Sequence, residues 1–371
     1  MPHDPYKGLY IHVPFCVSKC GYCDFASLAV PRDHPDMDAY LERTIMDIRN
    51  YAKQGDLADI ETIYIGGGTP TYLGSRRLSS LLYALSVSLD LTKEGLEFTI
   101  EANPESVEER LIKDLWALGI NRISIGVQSF DDNVLSFLGR AHDSNGAHKA
   151  IEAAHERFEN VSIDLMCGIP GFPAETFYKS LETAINAGVT HISVYPLSIE
   201  EHTPFFNAVM AGLIDEPDDD MQAEQMERAR EILSAAGFAR YEIANYAKPG
   251  FESRHNCSYW TGKPYLGIGP SATTMTQNDE HRMRVTDGTV SDSLDRPQME
   301  AEDLMLGMRL AAGISDERLR RAQACLPDAR TIFEGLERDG LVVFEQGSWR
   351  PTSRGWLLGN EIFGRILDMA P

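Results

Sequence analysis

Tyr10-Ile11-His12-Val13-Pro14-Phe15-Cys16-Val17-Ser18-Lys19-Cys20-Gly21-Tyr22-Cys23-Asp24-Phe25 carries three cysteines at C-x3-C-x2-C spacing, directly after a run of strand-forming residues. Three thiolates this close can hold one metal centre together, and their odd number argues against a local disulfide. A tetrahedral structural zinc needs a fourth ligand. His12 is near in sequence, and Cys167 and Cys257 are available from afar. Iron–sulfur clusters use short Cys spacings of this kind, and a [4Fe-4S] cluster held by only three of them keeps one iron open. The spacing fits the cluster best, with zinc or a redox thiol group as the alternatives.

Outward from this stretch, β-rich runs alternate with helical periodicity through the first half of the chain. The strand runs are Gly8–His12, Thr62–Ile65, Glu97–Glu101, Arg122–Val127, Val161–Met166 and His191–Tyr195. Helical segments fall at Ala39–Tyr51, Arg77–Leu89, Val107–Leu118, Ala147–Phe158 and Thr176–Ala187. Alternation of this kind predicts an α/β fold with parallel strands and crossover helices, an open partial (β/α)6 barrel. In such folds the ligand sits beyond the carboxyl ends of the strands. Those ends run here into the cysteine loop, Gly66-Gly67-Gly68-Thr69-Pro70, Glu101-Ala102-Asn103-Pro104, Gln128-Ser129, and Asp164 with Cys167-Gly168. Polar and glycine-rich residues therefore converge on one face.

The 371 residues suit two or more units, and the expected division is a barrel over 1–215, an extension packed on it over 216–296, and a C-terminal unit over 297–371. In the extension, the acidic run Asp215–Asp220 precedes a helical stretch, Met221–Ala236, and reads as helix capping rather than metal binding. The C-terminal unit reads as helices followed by a hairpin, Leu341–Glu345 and Ser348–Pro351, which is winged-helix-like. A net charge of −22 opposes contact with a nucleic-acid backbone, so a protein-contact or lid role suits that unit better. Six cysteines, three of them bunched, read as a reduced cytoplasmic protein. The polar, proline-punctuated start is unlike a signal or transit peptide, and no apolar run of membrane-spanning length follows.

With its cysteines and Tyr22 just before the last of them, the chain resembles the radical S-adenosylmethionine (SAM) superfamily. Leu9–Cys16 is similar to the oxygen-independent coproporphyrinogen III oxidase branch and its heme-chaperone relatives, the HemW proteins. The resemblance implies a [4Fe-4S] cluster on Cys16, Cys20 and Cys23. It also implies a SAM site, in which the glycines of Gly66–Pro70 let backbone approach the ligand: Gly67, Gly68 and Thr69 belong to it, with Glu101, Gln128, Arg140, Asp164 and Tyr10. Arg140 suits a clamp on the SAM carboxylate. His255-Asn256-Cys257-Ser258-Tyr259-Trp260 reproduces an HN-x-x-YW motif implicated in heme binding. His255 and, more weakly, Cys257 are thus candidate heme ligands, against a packing role for both.

Two departures separate the branches. The oxidases carry another Cys two residues beyond the last cluster cysteine, where this chain has Phe25, and a longer region before the cluster, where this chain has fifteen residues. Both point to a heme chaperone that binds heme, the cluster and SAM and delivers heme to an acceptor apoprotein such as a respiratory one. The alternative is an enzyme acting on a porphyrin, a coproporphyrinogen III dehydrogenase or a related SAM-dependent methyltransferase.

Overall fold

The structure is a computed structural model and describes residues 3–371. Strands β1 (Gly8–Val13), β2 (Thr62–Gly67), β3 (Glu97–Ala102), β4 (Arg122–Gln128), β5 (Asn160–Cys167) and β6 (His191–Pro196) pair in chain order, all parallel. Helices α1 (Pro35–Gln54), α2 (Gly74–Ser86), α3 (Glu109–Ala117), α4 (Asp132–Leu138), α5 (Ser144–His155) and α6 (Ala174–Asn186) make the crossovers. Parallel neighbours require such connections. Helix α1 begins four residues before its periodic stretch because Pro35 sits in the first turn, Asp36 and Asp38 favour the positive helix end, and the His34 side chain accepts from the Asp36 N–H.

Period-two patterning gives the sheet two unlike faces. Ile63, Ile65, Phe98, Ile100, Ile123, Ile125, Ile163, Leu165, Ile192 and Val194 are all buried in the main core. Alternate positions on the same strands carry Tyr64, Thr99, Glu101, Arg122, Ser124, Ser162, Asp164, His191, Ser193 and Tyr195. The apolar face packs on the helices, and the polar face lines the barrel interior. Removing one outward isoleucine from water is worth about 1.5–3 kcal/mol, so this face fixes the strand register and thereby the position of every inward polar group.

After α7 (Pro204–Met210) and α8 (Asp219–Ala235), β7 (Ala239–Arg240) and β8 (Asn245–Ala247) add antiparallel to the β6 edge. Asp218 caps α8 by accepting from the Met221 N–H at 2.7 Å. Helix α9 (Arg254–Trp260) follows, and β9 (Tyr265–Ile268) then pairs parallel with β1 on its other side. Strands β10 (Thr273–Gln277), β11 (His281–Thr286) and β12 (Thr289–Asp295) extend that edge antiparallel. The resulting sheet has twelve strands in the order β12-β11-β10-β9-β1-β2-β3-β4-β5-β6-β8-β7 and does not close.

Strand β12 runs directly into α10 (Arg296–Gly307) through a capping box between Asp295 and Gln298. Helices α11 (Asp316–Ala322) and α12 (Ala329–Arg338), the three-stranded sheet of Ile314–Ser315, Ser348–Pro351 and Val342–Glu345, and helices α13 (Ser353–Leu357) and α14 (Gly359–Leu367) complete a winged-helix-like α+β unit. It has its own core, around Leu304, Phe333, Leu336, Trp349 and Ile362.

Candidate functional site

The cysteine loop is tied down through backbone. Gly21 donates its N–H to Leu138 O at 3.1 Å, at the end of α4, and accepts from the Phe205 N–H at 2.9 Å, at the start of α7. The Phe205 ring lies where a Cβ on Gly21 would stand, 2.2 Å from its nearest ring carbon, so only glycine fits. Tyr22 packs into the small apolar cluster of Val134, Leu138, Met166 and Phe205 beneath the loop. This leaves Cys16, Cys20 and Cys23 on the wall of a cavity of about 360 Å³ at the carboxyl ends of the strands.

The glycine run forms the next wall. Gly67 has φ +108°, a conformation that side chains rarely adopt, and a Cβ there would lie 2.4 Å from the His12 ring. At Gly68 a Cβ would fall 2.8 Å from the carbonyl oxygens of both Val13 and Phe15. Gly68 N–H and Thr69 N–H donate to those carbonyls, each at 2.8 Å, which binds the glycine run to the strand leading into the cysteines. Glu101 accepts from Gly67 N–H at 2.9 Å and from Tyr64 Oη at 2.7 Å. Burial nevertheless pushes its carboxyl up to about 7, with Asp164 adding to the rise and the two hydrogen bonds opposing it.

A chain of hydrogen bonds joins two of the cysteines. Thr69 Oγ1 donates to Cys16 Sγ at 3.5 Å and accepts from Asn103 Nδ2 at 2.8 Å. Asn103 Oδ1 accepts from Arg140 Nη2 at 2.7 Å, and Arg140 Nη1 donates to Cys20 Sγ at 3.5 Å. Arg140 Nη2 also donates to the carbonyl of Gly126, while its Nε is buried with no partner. A Cβ on Gly126 would fall 2.8 Å from Asn103 Oδ1, so the missing side chain makes room for this junction. Gln128 stands beside it at φ 65°, where β4 bulges between Gly126 and Gln128. Such bulges re-aim side chains near functional sites.

The cavity thus gathers Cys16, Cys20, Cys23, Gly67, Gly68, Glu101, Gln128, Arg140 and Asp164. Burial raises the Asp164 carboxyl, with hydrogen bonds from Ser193 and Ser124 opposing the rise. Tyr10 and Thr69 stand one step behind: the Tyr10 hydroxyl lies 3.2 Å from His12 Nδ1, and Thr69 is buried under the cysteines. Among the described residues no three Cys, His, Asp or Glu side chains converge as they would on a single ion. A tetrahedral zinc draws all its ligand atoms to one point, with sulfurs about 2.3 Å from the metal, whereas the three cysteines of a four-iron cluster each bind a different iron and stand further apart. The thiols are still near enough to act on one another: burial, the largest cause, raises Cys16 and Cys23, and neighbouring thiols add to both.

His255 is not brought to the cavity. It is 1% exposed, its Nδ1 lies 2.8 Å from Thr62 Oγ1 and its Nε2 2.9 Å from the Tyr259 hydroxyl. Its ring stacks on Tyr64 at 5.1 Å between centroids, and burial pushes its pKa down to about 3. Both ring nitrogens are therefore engaged within the protein. Asn256, one residue on along α9, lines the cavity instead. Cys257 is partly buried, and burial pushes its thiol up to about 12.

Tyr64, Asn103, Arg122, Ser124, His191, Ser193, Tyr195 and Asn256 also line the cavity, though sequence motifs single none of them out for a role and hold Asn103 and Asn256 only as members of longer stretches. All but Asn103 and Asn256 are the polar halves of alternating strands, a signal present in the sequence.

Residues 10–184 match the Radical SAM superfamily, and residues 294–358 match the HemN C-terminal domain. A Bacillus subtilis (strain 168) protein named Heme chaperone HemW is 34% identical over 381 residues, covering 97% of this chain and 99% of that relative. A Lactococcus lactis (strain IL1403) protein of the same name is 33% identical over 377 residues, covering 97% of each. Among solved structures, the coproporphyrinogen III oxidase HemN of Escherichia coli, a radical SAM enzyme, superposes with a TM-score of 0.79 at 21% identity, covering 98% of this chain and 90% of that one. That likeness shows a shared fold. The full-length identity to the curated relatives goes further: the chain belongs to the HemW family of the radical SAM superfamily.

Proposed function

We propose that this chain is a heme chaperone: it holds a [4Fe-4S] cluster on Cys16, Cys20 and Cys23, binds SAM at the strand ends, and passes heme to an acceptor apoprotein in the cytoplasm. The observation that carries the reading is near end-to-end similarity to proteins named heme chaperones. The residues present fit the first two groups. Three thiols line one cavity wall, and the glycine run beside them would be filled by any Cβ. The cluster, when bound, supplies an open iron position and an electron. Gly67 and Gly68 would let SAM approach the backbone, Arg140 would hold its carboxylate, and Glu101, Gln128 and Asp164 would take its amine and hydroxyls.

For heme, support comes from the cysteine loop and its surroundings. Val17, Phe25, Leu28 and Tyr195 are 41%, 59%, 57% and 41% exposed, an apolar set against which a macrocycle could pack. Among the described residues no helix is long and apolar enough to cross a membrane. Oxidation of coproporphyrinogen III is the second reading, and against it Phe25 stands where that branch has a cysteine. Anaerobic reconstitution separates the two: the chaperone reading expects bound heme and transfer to an acceptor, and SAM-dependent coproporphyrinogen decarboxylation would replace it with the enzyme reading.

A further inference from the structure

The cavity floor carries a cation with no carboxylate in direct contact among the described residues, although Glu101 and Asp164 lie near enough to feel its charge. Arg122 opens β4, is 2% exposed, and lines the cavity. Its Nε is buried without a hydrogen-bond partner, and among the described residues the side chain enters no ion pair. Arg282 and Arg77, the most deeply buried of the other arginines, each pair with carboxylates. Arg282 binds Gln277, Glu302 and Asp303, and Arg77 binds Asp33 and Asp38. The strand register sets Arg122 beside Thr99 on β3 and Asn160 on β5. Thr99 Oγ1 and Asn160 Oδ1 are likewise buried and unpartnered. Arg122 Nε and Thr99 Oγ1 can both donate to one anionic group, whereas Asn160 Oδ1 accepts and would be met through water; native interiors rarely leave such atoms without a ligand or water. A buried unpaired guanidinium is costlier still.

We infer that this layer, led by Arg122, is a receiving site for a carboxylate carried by a ligand that fills the barrel. The planar guanidinium fork matches a carboxylate bidentately. A phosphate dianion suits the place less well, because Glu101 and Asp164 line the same cavity above it. Burial raises both carboxyls, and among the described residues neither forms a salt bridge to Arg122. The function proposed above gives Arg140, beside Cys20, to the SAM carboxylate, so the carboxylate meant here is a heme propionate, and naming it rests on that reading.

The test edits ligand and protein together. Affinities of heme and heme dimethyl ester, and of SAM and decarboxylated SAM, are measured on anaerobically reconstituted wild type, Arg122→Met and Arg122→Lys. The inference expects Arg122→Met to weaken heme binding at least tenfold while heme dimethyl ester is unchanged, with Arg122→Lys intermediate, and SAM and decarboxylated SAM to be left alone by both variants. Equal losses for heme and its ester, no loss, or a loss confined to SAM would overturn it. Thermal unfolding in sodium acetate against sodium chloride of equal ionic strength probes the site without either ligand. If wild type binds neither heme nor SAM, the proposed function fails. The carboxylate site then stands if acetate stabilises wild type and Arg122→Lys but not Arg122→Met, and falls if acetate stabilises all alike or none.

Discussion

Glu101→Gln should remove a definite piece of the pH dependence of stability. The Glu101 carboxyl is held by Tyr64 Oη and Gly67 N–H, yet burial, its largest influence, raises it from 4.5 to about 7. Between those values the folded protein keeps a proton that the unfolded chain has released. The corresponding stabilisation is complete below pH 4.5 and disappears as pH rises through about 7. At about 1.4 kcal/mol for each pH unit between the two values, the loss is about 3 kcal/mol. Glutamine does not titrate and keeps one acceptor oxygen for two donors, so the variant starts about 1 kcal/mol lower but follows a flatter profile. Urea unfolding of both proteins from about pH 4.5 to about pH 8 measures this directly. His191 and His255, lowered by burial, contribute equally to both proteins and cancel in the difference, whereas Asp164, which adds to the rise of Glu101, is itself relieved in the variant and steepens the contrast. Parallel profiles would refute the reasoning.

Gly67→Ala should cost about 2–4 kcal/mol in the same assay, from a positive φ forced on a side chain and from collision with the His12 ring; a cost below about 1 kcal/mol would contradict the cradle geometry. Asn103→Ala severs the link between Thr69 and Arg140, and should lower both SAM affinity and the iron and sulfide retained after reconstitution, measured by titration and metal analysis. His255→Ala should destabilise by about 2–5 kcal/mol, since it empties a packed site and strands Thr62 and the Tyr259 hydroxyl, while leaving the absorption spectrum of bound heme unchanged. A changed spectrum with unchanged stability would return His255 to the iron.

The parallel strands were legible in the sequence to within a residue or two, because short apolar runs ending in glycine or polar residues have few other readings. Their alternation held more than was taken from it. Tyr64, Ser124, His191 and Ser193 interrupt Ile and Val at every second place, which marks an interior face lined with polar groups. The pairing of Tyr265–Ile268 with β1 was not legible, since it joins segments some 250 residues apart through contacts that leave no local pattern. His255 shows a different limit. The motif named the right helix, but successive helical side chains point about 100° apart, so only the structure tells that Asn256 meets the cavity while His255 meets Thr62 and Tyr259. Likewise the C-x3-C-x2-C spacing identified the three thiols, whereas the Thr69–Asn103–Arg140 connection between two of them depends on the ends of β2, β3 and α4 arriving together.

The most direct measurement is made on anaerobically purified, iron-replete protein: heme titration and transfer to an apo-acceptor, beside a SAM-dependent assay of coproporphyrinogen III decarboxylation, with Cys16→Ala, Cys20→Ala and Cys23→Ala as controls. The account predicts a [4Fe-4S] signal lost in each cysteine variant, heme bound by wild type and delivered to the acceptor, and no protoporphyrinogen IX formed. Stoichiometric zinc in place of iron and sulfide, or robust decarboxylation by the wild-type protein, would contradict it.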